Sequence, residues 1–380
     1  MKALLLTVDF PPNSGGIQRY LFNLYNNFPK NEFVVVAPKV DGWQESDAAH
    51  DLKVYREDFY MVKGSLLPKR AEKVKRLIKC VHRLLQIIKE EKIEVIHVGH
   101  SFPLGVSACL IVQRITKLDY IVFTHASEIS TNVEEEKKGR VLKKFLRNAK
   151  KVITVSDYTK EILLQNGIKS ENIVLIHPGI NPLDASVGDY KPLLSDKKVL
   201  LTISRLAKRK GHDMVLKSIP LVVKEIPNFI YKIVGTGSQK ENLEQLVENL
   251  DINKYVEFID HIPDSELPNY YRECDIFILN SRVLENGDAE GFGIVFLEAN
   301  LFGKPVIGGD SGGIPDAVEE NVSGLLVNPI DIQEIADSII LLLKDQDLAE
   351  KLGKQGKQRA ENLFNWDHVS KEAYRKLASS

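Results

Sequence analysis

Short β-rich apolar runs alternate with longer helical patterns from one end of the chain to the other, and this alternation constrains the fold more than any other feature. Strands joined through helices lie parallel, so the pattern specifies parallel sheets covered by crossover helices. A first series of strand-like runs falls at 3–9, 32–37, 53–56, 94–98, 120–124, 151–155 and 173–176. Helical patterns at 17–28, 69–91, 103–115, 139–148 and 158–165 lie between most of them. A second series follows at 199–204, 230–234, 256–259, 276–280, 305–308 and 324–327, with helices near 211–224, 239–250, 294–301 and 332–343.

Between the two series, 181–198 holds Pro182, Gly188 and Pro192 with little periodicity, as a linker does. The length of 380 residues agrees with two domains, because single cores stop growing near ~250–300 residues. The expectation is an α/β chain of two Rossmann-like, doubly wound parallel-sheet domains, 1–182 and 199–363, joined by a linker over 183–198. A helical tail follows, broken near Phe364-Asn365-Trp366-Asp367. Ligands of open parallel sheets bind beyond the carboxyl ends of the strands, so two such sheets predict a cleft between facing domains.

Composition narrows the class. Hydrophobic residues at 43% and charged residues at 27% exclude disordered, collagen-like and disulfide-scaffold chains. Cys80, Cys109 and Cys274 have no metal-ligand spacing, so neither a zinc site nor a disulfide framework is expected. The first apolar run meets Asp9 before a signal-peptide core is complete, and no run approaches the ~20 residues of a spanning helix. A cytoplasmic protein that meets membrane only from its surface is the expectation. The net charge of −1 conceals an asymmetry: 1–182 carries 28 basic and 20 acidic residues, the remainder 23 and 32. A basic first half suits an anionic acceptor or lipid surface.

Three segments at strand ends carry candidate chemistry. Gly15-Gly16, after the first strand and before a helix, is either a tight turn or a place where backbone N–H groups meet an anion. Arg205 and Lys210, five apart after the first strand of the second series, are either a solvated basic loop or a guanidinium and an ammonium presented to one diphosphate. In Glu290-Gly291-Phe292-Gly293-Ile294-Val295-Phe296-Leu297-Glu298, two glycines open an apolar helix with a carboxylate before it and another within it. Both carboxylates can meet hydroxyls, since a buried carboxylate costs several kcal/mol, roughly, unless partnered.

Together with Ser311-Gly312-Gly313-Ile314-Pro315, these segments resemble the retaining glycosyltransferases of family 4, which have the GT-B fold; the resemblance spans essentially the whole chain. Gly287-Asp288-Ala289-Glu290-Gly291-Phe292-Gly293 looks most like the phosphatidylinositol-mannoside mannosyltransferases of bacteria. The resemblance implies that Arg205 and Lys210 hold the donor diphosphate, helped by Gly15, Gly16 and the helix terminus at Phe292, Gly293 and Ile294. It places Glu290 at the donor sugar, Glu298 at the ribose, Gly235, Gly237 and Ile262 around the base, and His125 near the sugar and leaving phosphate. The family often has glycine after this histidine, where this chain has Ala126. By analogy, the segment 364–380 crosses back to the first domain.

The implied reaction moves a hexose, mannose or glucose-type, from a GDP-, UDP- or ADP-sugar to a hydroxyl of a glycan or glycolipid of envelope or polysaccharide synthesis, with GDP-mannose favoured. No cofactor and no metal are expected, since Asp345-Gln346-Asp347, the sole D-x-D, falls between tail helices, and no nucleic acid is expected as a partner. Two basic clusters, 63–83 and 137–151, carry eight Lys or Arg each beside helical apolar spacing, so they either dock on anionic lipid or pack their stripe on the sheet and face water. The competing functions are a sugar-nucleotide epimerase of the same fold, a noncatalytic lipid- or sugar-binding module, and a nicotinamide oxidoreductase resting on Gly235-Thr236-Gly237 alone.

Overall fold

The computed structural model describes residues 2–13, 15–58, 70–99, 104–126, 129, 136–181, 197–260 and 262–378; at 70, 71, 104 and 136–138 it describes backbone alone. The chain forms two compact units, Met1–Gly179 with Trp366–Ser380, and Ile180–Asn365.

The first unit runs β1 (Ala3–Leu6), α1 (Gly16–Asn26), β2 (Phe33–Pro38), α2 (Trp43–Ala48), β3 (Lys53–Glu57), α3 (Arg70–Glu91), β4 (Val95–Val98), α4 (Leu104–Thr116), β5 (Asp119–Thr124), α5 (Glu136–Arg147), β6 (Lys151–Thr154), α6 (Asp157–Gln165) and β7 (Ile173–Leu175). All seven strands are parallel in the order β3-β2-β1-β4-β5-β6-β7. Strands β1, β2 and β4 are buried along their whole length, because helices cover both faces of a parallel sheet. One apolar layer holds Leu4, Val34, Leu84 and Phe145, and the other holds Leu5, Val35, Tyr20 and Phe123.

The C-terminal helix Trp366–Ala378 belongs to the second of these layers. Trp366, Val369, Ala373 and Leu377 are buried there, the Tyr374 hydroxyl donates to Glu32 at 2.8 Å, and Lys376 donates to the Leu175 carbonyl at 2.9 Å. The break near 364 is therefore where the chain re-enters the first unit, at Trp366. Phe364, which the sequence grouped with the returning tail, is buried in the second unit.

The second unit runs β8 (Lys198–Ile203), α7 (His212–Glu225), β9 (Phe229–Val234), α8 (Lys240–Asn249), β10 (Val256–Ile259), α9 (Leu267–Glu273), β11 (Ile276–Leu279), α10 (Ile294–Leu301), β12 (Val306–Gly309), α11 (Ile314–Ala317), β13 (Gly324–Val327), α12 (Ile332–Lys344) and α13 (Gln346–Leu363). Its strands are parallel in the order β10-β9-β8-β11-β12-β13. The expected linker over 183–198 lies outside the described residues except for its last two, and Lys198 already pairs within β8.

Aspartate side chains close the starts of two helices. Asp331 caps α12 by accepting from the N–H groups of Gln333 and Glu334 at 2.9 and 3.1 Å, and Asp345 caps α13 by accepting from Leu348 at 2.9 Å. The first carboxylate of the D-x-D thus serves a helix end. In the basic helices the stripe divides. Val81, Leu84, Leu142 and Phe145 pack inward, whereas Val74, Ile78 and Val141 stay exposed beside Lys75, Lys79 and Lys144. Among the described residues, no helix is long and apolar enough to cross a membrane.

Candidate active site

In each sheet the chain reverses its winding once, between β1 and β4 in the first unit and between β8 and β11 in the second. Carboxyl-terminal loops diverge at such a switch point and leave a crevice for ligand. The second unit's crevice is flanked by 204–211, after β8, and by 280–293, after β11. The two segments touch through backbone. Gly211, with φ of 71°, lies so close that a Cβ there would sit 1.8 Å from the Asn280 carbonyl oxygen, and the Arg282 N–H donates to the Arg209 carbonyl at 2.9 Å. Arg282 is itself held by Asp213 of α7 at 3.0 Å.

This contact brings chemistry together. Lys208–Lys210 form one 3-10 turn, which swings Arg209 and Lys210 toward Glu290 on the facing segment. Lys210 and Arg209 both donate to Oε2 of Glu290, Arg209 at 2.6 Å, and the Arg209 Nε lies 3.3 Å from Asp288. The Glu290 carbonyl accepts from the Gly313 N–H at 2.8 Å, and Gly312, with φ of 60°, lets that loop approach. Burial would raise the Glu290 carboxyl, but the two cations outweigh it and hold the group at about 2. Burial lowers the Lys210 ammonium against the pull of Glu290, with Arg209 and Arg205 adding to the depression. At the head of α7, His212 bonds Ser204 at 3.0 Å and is pushed down to about 4 by burial. Beneath lie Asn280 and Ser281, both buried, whose Oδ1 and Oγ have no partner among the described residues.

The remaining candidates separate into contact and scaffold. Glu298 is 6% exposed on α10 and accepts from the Tyr271 hydroxyl at 2.6 Å, so its carboxylate is partnered from within the unit. Gly293 starts α10 in a left-handed conformation (φ 95°), and its Cβ position lies 3.9 Å from the Glu290 side chain. Ile294 follows it, half-buried. Arg205 is exposed on the same loop as Lys210. Phe292, read as a donor contact, points its ring into the core against Phe364, 5.7 Å between centroids. Ile262 is likewise a core residue, and His261 lies outside the described residues. Gly235 and Gly237 are required by backbone crowding: a Cβ would stand 2.0 Å from the Ser204 carbonyl oxygen and 2.3 Å from that of Leu206. Sequence reading missed Arg209, Asp288 and Tyr271. Three successive cations gave no sign of which one turns inward, and the only available signal was Gly211, which forces a tight turn.

In the first unit, Gly15 precedes and Gly16 begins α1 at the carboxyl end of β1. That loop is pinned from two sides: Gln18 donates to Asp9 at 2.8 Å, and the buried Arg56 donates to the Pro11 carbonyl at 2.6 Å while gripping Asp47. His125 follows β5 directly and stands edge-on to the Tyr20 ring at 5.5 Å. The departure after it has a backbone explanation. Ala126 takes φ of 66°, the left-handed conformation a glycine would adopt, at a cost of roughly 1–2 kcal/mol.

Two doubly wound parallel units in one chain are the architecture of the GT-B fold, and similar solved structures share it. A crystal structure of Anabaena HepE with UDP and glucose superposes over the full length of both chains with a TM-score of 0.79 at 21% identity. Sucrose-phosphate synthase from Thermosynechococcus elongatus does so with 0.76 at 22%. Residues 14–182 match the model described as Glycosyltransferase Family 4, and residues 190–359 match Glycosyl transferases group 1. A GDP-mannose-dependent α-(1-6)-phosphatidylinositol monomannoside mannosyltransferase of Mycolicibacterium smegmatis is 30% identical over 96% of this chain and 94% of its own. A Corynebacterium glutamicum enzyme on the monoacylated form of that lipid is 28% identical over 96% and 95%. The chain belongs to glycosyltransferase family 4.

Proposed function

We propose that the protein transfers mannose from GDP-mannose, with retention of configuration, to a hydroxyl of a glycolipid acceptor in cell-envelope synthesis. The observation that carries this is the meeting of Lys210 and Glu290 at the second unit's switch point, with Arg205 on the same loop, in a chain similar to GDP-mannose-dependent enzymes over nearly its full length. Breaking the anomeric C–O bond places negative charge on the β-phosphate as the sugar becomes oxocarbenium-like. Arg205, Lys210 and the first N–H groups of α10 stabilise that charge in place. Glu290 meets a sugar hydroxyl and Glu298 the ribose. The acceptor attacks the face from which the phosphate leaves, and the phosphate takes its proton.

Thermal denaturation with GDP-mannose, UDP-glucose and ADP-glucose tests the donor. GDP-mannose at a hundredfold excess over its dissociation constant should stabilise the protein by about 2.7 kcal/mol, and the other two by much less. A larger response to UDP-glucose would overturn the choice of donor.

Two cations and a helix terminus neutralise a diphosphate without a divalent ion, and Asp345 is engaged at its helix end. Transfer should therefore persist in EDTA; activity lost in chelator and restored by magnesium would reject metal independence.

We further propose that the first unit rests on anionic membrane through α3 and α5. Ile78 is 64% exposed and Val74 and Val141 are exposed beside lysines, while α4 packs against both helices. Vesicles containing phosphatidylglycerol should carry the protein upward in flotation and pure phosphatidylcholine vesicles should not. Equal absence from both would remove this surface from the account.

A further inference from the structure

Among the described residues, Glu290 makes its side-chain hydrogen bonds through one oxygen. Oε2 accepts from both Arg209 and Lys210, and Oε1 accepts no hydrogen bond among the described residues. The two cations differ in what else they can do. Lys210 is the cation matched to the diphosphate, and an ammonium on a four-carbon stem can turn from carboxylate to phosphate. Arg209 is committed. It is 8% exposed, its carbonyl is tied to the Arg282 N–H, its Nε faces Asp288, and Arg282 is locked by Asp213. A planar guanidinium so enclosed has one orientation available.

We propose that Arg209 is a positioning residue: it keeps the Glu290 carboxylate ionised and anchored through Oε2 when Lys210 turns to the diphosphate, leaving Oε1 for a hydroxyl of the donor sugar. This role rests on the proposed nucleotide-sugar transfer. The charged groups around Glu290 are Lys210, Arg209 and Arg205 on the 204–211 segment, Asp288 and Arg282 on its own segment, and Asp213 on α7. Of these, Arg209 alone both contacts the carboxylate and has no other use at a bound diphosphate. The low titration of Glu290 agrees with two cations on one oxygen.

The test separates phosphate contact from positioning. GDP and UDP affinities are measured by calorimetry, and transfer kinetics from pH 4 to 8, for the parent and for Arg209→Met, Arg209→Lys, Lys210→Met, Glu290→Gln and the double variant Arg209→Met with Glu290→Gln. Arg209→Met should bind nucleoside diphosphate within about threefold of the parent, whereas Lys210→Met should lose at least about tenfold. Turnover of Arg209→Met should fall about 30–100-fold with KM little changed, as expected when a reacting partner is mispositioned. Loss of an opposite charge raises a carboxyl by about 1–3 units, so the acid limb of the rate profile should move upward by that much. Arg209→Lys should restore the limb and part of the rate, which also tests the role if the methionine variant folds poorly. The double variant should be no slower than Glu290→Gln alone.

Loss of nucleotide affinity in Arg209→Met equal to that of Lys210→Met would make Arg209 a phosphate ligand and overturn the proposal. So would an unmoved acid limb, or a double variant slower by the product of the single effects. A parent that binds neither GDP nor UDP and transfers no sugar sinks the proposed function itself, and this role with it.

Discussion

Lys210→Met and Arg205→Ala should each lower transfer turnover by about 10²–10³, the usual loss when one preplaced donor to a developing oxyanion is removed. The two variants should differ in stability, because the side chains stand in different surroundings. Arg205 is exposed, so its removal should change the melting free energy by no more than about 0.5 kcal/mol. Lys210 is enclosed and shares Glu290 with Arg209. Breaking a buried pair outright costs about 3–5 kcal/mol, but Glu290 keeps its arginine, so a loss of about 1–3 kcal/mol is expected. Steady-state kinetics with differential scanning calorimetry on both variants gives the comparison. An Arg205→Ala enzyme within threefold of the parent would remove that guanidinium from the transition state.

The central strands were legible because parallel sheets bury both their faces, so most of them appear as apolar runs rich in Val, Ile and Leu. The edge strands Lys53–Glu57 and Val256–Ile259 are mixed and only partly buried. Observed ends fall within three residues of the expected ones: 256–259 and 324–327 coincide, and 3–9 shortens to Ala3–Leu6. Helices of three turns or more were equally plain. Trp43–Ala48, Leu267–Glu273 and Ile314–Ala317 went unseen because four to seven residues cannot establish a 3.6-residue period. At the site, the chemistry of Lys210 and Glu290 could be read from residue type and position after a strand. Their mutual contact could not, since 80 positions separate them and only the β8–β11 neighbour relation brings the loops together. Phe292, Gly235, Gly237 and Ile262 show the converse. Membership in a motif says nothing of direction: Phe292 and Ile262 have side chains in the core, and Gly235 and Gly237 are crowded by backbone, which the resemblance alone did not reveal.

Gly211→Ala should be the most damaging single-methyl change in the second unit. Two penalties coincide there. The backbone is left-handed, which costs a non-glycine residue about 1–2 kcal/mol. The added Cβ would also stand 1.8 Å from the Asn280 carbonyl oxygen, a backbone atom of the central strand's end that no rotamer change can move. Forced expansion of a packed contact costs about 1–3 kcal/mol, so a combined loss of about 2–5 kcal/mol follows, or roughly 4–20 °C for a unit of this size. Gly303→Ala separates the two penalties, because Gly303 has nearly the same φ, 69°, with nothing within 4 Å of its Cβ position. It should lose only the conformational share. Calorimetric melting of both variants measures the difference, and nucleotide affinity should follow it: prying 204–211 from 280–293 moves Arg209 and Lys210 away from Glu290. Equal, small losses in the two variants would mean that the segments slide apart freely. The switch-point crevice would then be held by the ion pairs alone, not by the backbone contact at Gly211.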